Sequence, residues 1–469
     1  IFDAGGELCA QAAHIPVHLG SMAYAMRDLV GTIDWRDGDM IVLNDPYLGG
    51  THLPDVTLIA PLFVAGELRA FVANRAHHAD IGAASPGSMP ISRRLEEEGV
   101  VIAPTRLIAA GEPQPAALAP LFERVRVRRI VEGDFSAQVS ANRVGLARLT
   151  ALIETYGAER YEALLGAVNM AGERLARAAL ARIPAGEYRF RDVLDDDGCG
   201  NVDLPITVCI RVDETGVVCD FGGTAAQTEG NVNCPVSVAA AAVYYAFRCL
   251  MPRDTPACAG IFRPIRLEVP EGCLLNARRP AAVAAGNVET STRVVDAVLG
   301  ALAQALPEAL PAASHGSMNN LAMGSADPGR PWDYYETLGG GMGAHAGGAG
   351  LSAVQTHMTN TLNTPIETLE MTYPLRVRRY AIRRGSGGGG LHGGGDGLVR
   401  DYEFLAPASA TILGERRRNR PWGLGGGEAG AAAENSINEV TLPGKVQVDV
   451  QAGDVLSIAT AGAGGYGAC

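Results

Sequence analysis

"NDPYLGGTHLPDVTLIAPLFVAGELRAFVANRAHHAD" (residues 44–80) carries three of the chain's nine histidines. Inside it, "VTLIAPLFV" (56–64) and "LRAFVAN" (68–74) are apolar and β-prone, and "AGE" between them is a short Gly-containing turn. That pattern predicts a hairpin. Residues that face each other across a hairpin have numbers with a constant sum. A turn centred on Ala65-Gly66 makes that sum 131, placing Asp55 opposite Ala76, His52 opposite Ala79, and His77 and His78 opposite Pro54 and Leu53. His52, Asp55 and the His77-His78 pair then gather at the open end of one hairpin. Two imidazoles and a carboxylate are a common ligand set for zinc, manganese or non-haem iron. Three protein ligands leave positions open for water or substrate, and Pro54 stiffens the loop between His52 and Asp55. The alternative is a polar loop in which these side chains satisfy backbone groups.

Outward from the hairpin, 469 residues are too many for one core and predict two or three domains. Hydrophobic residues make up 47% and charged residues 19%, a globular composition. The net charge of −12 argues against nucleic acid as a partner, and "GERRRNR" (414–420) is too short and local to reverse that. No uninterrupted apolar run reaches about 18 residues, so no membrane span is expected. The nine cysteines are scattered from Cys9 to Cys469 and form no CxxC, which suits reduced thiols in a cytoplasmic protein. The opening "IFDAGGELCAQ" has neither an initiator Met nor a leader, and reads as the interior of a longer chain.

The texture predicts an α+β protein of several domains, with mixed β-sheets, a helical insert and Gly-rich β turns. Residues 1–133 read as a β-rich region holding the metal site. Residues 134–184 are rich in Ala, Leu, Arg and Glu at helical spacing, broken into two helices at "YG" (156–157). Residues 185–275 are α+β, with a buried helix over 236–251. Residues 276–469 form a Gly-rich α+β region that completes the substrate pocket. It has four Gly-rich runs (339–350, 385–397, 423–430 and 461–467) spaced by apolar segments. They read as tight turns at strand ends where backbones approach closely, rather than as linkers.

"SHGSMNN" (314–320) and "QTHMTNTLNTPIE" (355–367) crowd His, Asn, Thr and Ser with little charge. Such groups suit a neutral substrate with amide or carbonyl groups, and equally suit turn chemistry. They nominate Asn319, Asn320, His357 and Asn360 for substrate binding. His14 and His18 could approach the hairpin site or simply pack, and His345 and His392 read as inert residues of Gly-rich loops. There is no GxxxxGK[ST] and no GxSxG; "GGGLHG" (388–393) and "GAGGYG" (462–467) match GxGxxG without a clear βαβ context. A standard nucleotide loop is therefore not expected.

"AQAAHIPVHLGSM" (10–22), "NDPYLGGTHLPDVTLIAPLF" (44–63), "RAHHADIG" (75–82), "DFSAQVSANR" (134–143), "THMTNTLNTPIE" (356–367) and "LPGKVQVDVQAGDVLSIATAGAGGYG" (442–467) resemble the hydantoinase B/5-oxoprolinase family, in order and over essentially the whole chain. "TAGAGGYG" departs from that family's denser "PGGGGYG". The resemblance implies a cytoplasmic hetero-oligomer with a hydantoinase A-like subunit that binds ATP and activates a cyclic amide. It places a divalent metal (Zn, Mn or Fe) on His52, Asp55 and His77, and an Asp just ahead of Ile1. On that basis the expected function is ATP-dependent opening of a hydantoin, 5-oxoproline or lactam ring, with His78 and Asp80 as supporting or general-base residues. The alternatives are a subunit of an acetone- or acetophenone-type carboxylase, and a non-catalytic scaffold.

Overall fold

The computed structural model describes residues 1–327 and 329–468, with the side chain of Asp28 left out. Strands fall in four separate sheets and helices pack around them, the mixed α+β architecture predicted. The first sheet has six strands in the order Phe2–Asp3, Glu67–His77, Asp55–Val64, Met40–Leu43, Thr105–Ala109, Glu112–Pro113, all antiparallel. Its centre is the predicted hairpin. Ala65 and Gly66 both take positive φ (54° and 82°), the two-residue turn whose twist matches that of the flanking strands.

The register corrects the arithmetic. Near the turn the sum is 131, with Val64 opposite Glu67 and Phe63 opposite Leu68. A bulge then leaves Arg69 unpaired, and from Leu62 opposite Ala70 onward the sum is 132. Asp55 therefore faces His77, not Ala76. A one-residue shift exchanges the two faces of a strand, so the bulge puts the Asp55 and His77 side chains on one face. Arg69 is held at the bulge by ion pairs to Glu67 and to Glu162, the latter at 2.7 Å on the neighbouring helix.

Helices Arg128–Tyr156 and Ala158–Leu180 join at Gly157 (φ 80°), where the sequence predicts a break. The first lies across the hairpin and fastens it with amides. Gln138 Nε2 donates to Val56 O and Asn74 Oδ1 (both 2.9 Å), and Asn74 Nδ2 donates to Asn142 Oδ1 (2.8 Å). Helix Val236–Arg248 forms as predicted, and beside it runs Ser291–Leu302, every residue of which is buried. Residues from all four textural regions meet in the largest core, from Phe2 to Leu413.

Inside this core lies a cluster of charges drawn from distant segments. Arg293 is fully buried, 3.2 Å from Glu415, 3.3 Å from Asp296 and 3.6 Å from Asp192. Arg416 reaches Asp296 at 2.6 Å and Asp192 at 3.0 Å, and Lys445 reaches Glu415 at 2.5 Å.

The Gly-rich runs approach backbone closely, as expected, but they do so against one another. Gly341 N donates to Ala461 O (3.2 Å), Gly350 N to Gly393 O (3.0 Å), Gly388 N to Ala463 O (2.8 Å), and Glu428 N to Gly389 O (2.8 Å). The four runs thus form one interleaved block. A Cβ on Gly350 would stand 1.7 Å from Met342 O, and one on Gly395 1.9 Å from Leu351 O, so only glycine lets the layers close.

Among the described residues no helix is long and apolar enough to cross a membrane. The eight cysteines from Cys9 to Cys273 are free, and Cys469 lies outside the described residues.

Candidate functional site

The loop before the Asp55–Val64 strand is pinned at both ends. Asn44 Nδ2 donates to Leu53 O (2.9 Å), and Pro54 O accepts from His78 N (2.8 Å). This fixes His52 over the end of the hairpin. Asp55 is buried at the centre of a ring of imidazoles. Its Oδ2 is 3.1 Å from His52 Nε2 and 3.7 Å from His18 Nε2, its Oδ1 is 3.4 Å from His77 Nδ1, and the Thr51 hydroxyl donates to Oδ2. One donor atom from each of His52, Asp55 and His77 lies within 4.8 Å of the others. His52 Nε2 faces Asp55, but the buried Nδ1 atoms of His52 and His18 make no hydrogen bond. Buried polar atoms left without partners need an explanation. A cation held by the two imidazoles and the carboxylate would supply one, so the residues present fit a metal.

Electrostatics agree with that fit. Burial alone would raise the Asp55 carboxyl, but His52 and His18 beside it bring it well below the usual carboxylate range. Burial pushes His18 down to about 3; desolvation in the cavity wall also lowers His77, whose side chain stays 28% exposed, and both shifts favour the neutral imidazole. Arg75, lowered to about 10 by burial, donates to Thr57 Oγ1 (2.8 Å) and Ser21 Oγ (2.9 Å) in the same wall.

The cluster forms part of the wall of a cavity of about 740 Å³. The rest is mostly apolar, including Val17, Met22, Val72, Val288 and Met318. Residues 10–18 cross it, which brings His14 and His18 to the site. His77 stacks on Tyr335, another wall residue, with ring centroids 4.7 Å apart.

The other nominated residues lie elsewhere. Successive strand residues point to opposite faces. His77 faces the cavity, whereas His78 turns to the helix side, with Nε2 2.9 Å from Gln138 Oε1 and its ring against Phe135. Asp80 caps backbone, accepting from Gly82 N (2.8 Å) and Arg126 N (2.6 Å). Asn319 is engaged by Leu338 O (3.2 Å) and by Arg417, which donates to its Oδ1 (2.9 Å). Asn320 sits behind the wall, accepting from the Tyr335 hydroxyl and donating to Glu289 Oε1 (3.1 Å). Asn360 donates to His14 O (3.1 Å), and His357 Nδ1 is 3.4 Å from the Tyr245 hydroxyl. His345 and His392 belong to the glycine block, where their backbones bridge to Gly348 and Tyr466. The neighbours Met318 and Thr361 line the cavity instead of the nominated Asn319 and Asn360. Sequence reasoning missed Asn287, Tyr335 and Gln11. A lone amide in the apolar run "AAVAAGNVETS" (281–291) was the available signal for Asn287.

His315, also outside the cavity, gives a test of buried-histidine electrostatics. It is 1% exposed, and burial holds its pKa down at about 4. The unfolded chain protonates it near ~6.5. Between those values the unfolded state binds the extra proton. The stability is therefore present above the unfolded value and lost as pH falls toward the folded one. Relative to wild type, His315→Gln gains about 2 kcal/mol on going from pH 7 to pH 5. Urea unfolding at the two pH values reads this, and a difference that stays constant refutes a neutral His315.

With the geometry in place, the comparisons are consistent. The chain matches the Hydantoinase B/oxoprolinase family over residues 1–469 and belongs to it. It is 38% identical over 508 residues to 5-oxoprolinase 1 of Arabidopsis thaliana, covering 100% of this chain and 38% of that one. It is 32% identical over 495 residues to a protein of Pseudomonas sp. strain NS671 named as a D-/L-hydantoinase subunit, covering 100% and 83%. Among solved structures it superposes on the ATP-dependent caprolactamase from Pseudomonas jessenii with a TM-score of 0.91 at 28% identity, over 100% of this chain and 84% of that one. Acetone carboxylase in its nucleotide-free form shares the fold, with a TM-score of 0.87 at 18% identity over 99% and 70%. The chain thus spans about two fifths of the length of the 5-oxoprolinase and most of the length of the hydantoinase component.

Proposed function

We propose that this chain is the metal-bearing component of an ATP-dependent cyclic-amide hydrolase. The observation that carries the reading is the His52–Asp55–His77 cluster set into the wall of a largely apolar cavity. These three residues would hold a divalent cation, zinc, manganese or iron. When bound, such an ion polarises a carbonyl or makes water a better nucleophile.

The chain's own residues do the rest. Asp55 stays ionised beside His18 and His77, whose shifts favour the neutral imidazole. His18 offers a hydrogen-bonding position at Nδ1 that no protein group takes. Met22, Val17 and Met318 give ring methylenes an apolar surface and exclude water. His78 and Asp80 face away from the cavity, so this reading gives them no proton to move. ATP use falls to a hydantoinase A-like partner. The Pseudomonas relative, named as one subunit of a hydantoinase, supports that division, as does the 5-oxoprolinase, whose length extends well beyond the match. Free cysteines suit a reducing, cytoplasmic setting. The likeness to acetone carboxylase is one of fold and favours no second reading.

The test is the chain purified with its hydantoinase A-like partner and given ATP with hydantoin, 5-oxoproline or caprolactam. Ring opening should accompany ADP release without bicarbonate, stop on treatment with a chelator, and return with one of the three metals. Turnover of none of these rings, or turnover indifferent to chelation, sinks the proposal.

A further inference from the structure

The cavity has a second polar pole. Residues 284–302 form one continuous helical run with a π-helical segment, Gly286–Thr290, near its start. Such segments are rare and concentrate at functional sites. This one is pinned: Gly286 N donates to Asn231 O (2.9 Å), and a Cβ on Gly286 would meet Asn233 O at 1.8 Å. Its wide turn lets the adjacent residues Asn287 and Val288 both line the cavity. Glu289 turns the other way, accepting from Met318 N (3.0 Å) and Asn320 Nδ2 (3.1 Å).

Asn287 is 3% exposed, and its Oδ1 has no hydrogen-bond partner. Gln11, on the segment crossing the same cavity, also leaves a buried carbonyl oxygen unpartnered, while its Nε2 is engaged by His14 Nε2 and, at 3.4 Å, by His18 O. Two buried, unpartnered acceptors on residues that line one cavity call for a ligand that brings donors. The apolar lining between them and the histidines calls for a ligand that is otherwise hydrocarbon.

We infer that Asn287, assisted by Gln11, is the subsite for the N–H edge of the substrate. It accepts from the ring N–H of a cyclic amide or imide whose carbonyl lies toward the hairpin residues. This rests on the function proposed above and adds the chemistry that selects the substrate: a ring whose nitrogen carries hydrogen. Asn287 orients the ring and moves no proton.

The experiment compares each unsubstituted ring with its N-methyl analogue, using the chain in complex with its partner. Wild type should prefer the N–H ring by at least about tenfold in kcat/KM, because a site built to pair with an N–H leaves its acceptor unpaired when that donor is lost. In Asn287→Ala, KM for the N–H ring should rise about tenfold with kcat little changed, and the preference should fall to about twofold. If Asn287→Ala does not fold, as judged by its thermal transition, Gln11→Ala outside the helix carries the same comparison and should lose part of the preference. No N–H preference in wild type, or a preference and KM unchanged in the folded variants, overturns the inference. Wild type that opens none of the rings overturns the functional reading, and the subsite with it, before any variant is made.

Discussion

Asp55→Asn lowers ATP-dependent ring opening by more than about 100-fold, the upper range for losing a group outside the ligand shell, since Asp55 is itself a proposed ligand. The substitution keeps the shape of the side chain and removes its charge. That charge is the centre of the site: His52, His18 and His77 each have a ring nitrogen between 3.1 and 3.7 Å from its oxygens. An amide leaves two imidazoles to hold a cation without a counter-charge in a buried wall. Metal content after dialysis should fall in parallel with activity, in protein that still unfolds in one cooperative thermal transition. A variant that retains both its metal and its turnover removes Asp55 from the ligand set. One that retains its metal but loses turnover moves Asp55 from holding the ion to orienting what binds there.

Arg293→Met costs about 3–5 kcal/mol of stability, because it removes one of three cations from a buried cluster and leaves Arg416 and Lys445 alone to balance its carboxyls. Arg293 has no exposed surface and stands between Asp192, Asp296 and Glu415. Methionine fills much of the volume, so most of the loss is electrostatic. Burial already lifts the Asp296 carboxyl to about 8, with Arg293 opposing that rise. Adding Asp296→Asn to Arg293→Met should recover part of the loss by removing one carboxyl, while Arg416 keeps Asp192 and Lys445 keeps Glu415. Denaturant midpoints at constant slope measure both effects. A single-variant loss below about 1 kcal/mol, the level of an exposed ion pair, would mean that the cluster is hydrated.

The hairpin and the helix break were legible because each depends on local pattern: alternating apolar runs, a Gly turn, helical spacing interrupted at Gly157. The meeting of His52, Asp55 and His77 was legible because hairpin pairing turns sequence distance into position. What was not legible depends on counting or on contacts from far away. The bulge at Arg69 is held by Glu162, ninety-three residues on, and no local signal announces it. Without it, register placed Ala76 opposite Asp55 and left His77 and His78 equivalent; with it, one faces the cavity and the other a helix. The chemistry of Asn319 and Asn360 suits substrate binding, but their hydrogen bonds go to Arg417, Leu338 and His14, partners that tertiary folding alone supplies. The buried charges at 192, 293, 296, 415 and 416 look in sequence like ordinary surface residues.

The glycine block has a consequence for cooperativity. Glycine loses more backbone freedom on folding than any other residue, so ordering one run alone is unfavourable. Each run finds its hydrogen-bond partners in the others: 341 with 461, 350 with 393, 388 with 463, 428 with 389. None can leave without stripping partners from the next, so the four behave as a single opening unit. The segments whose composition suggests the most freedom are, once folded, tied to one shared transition.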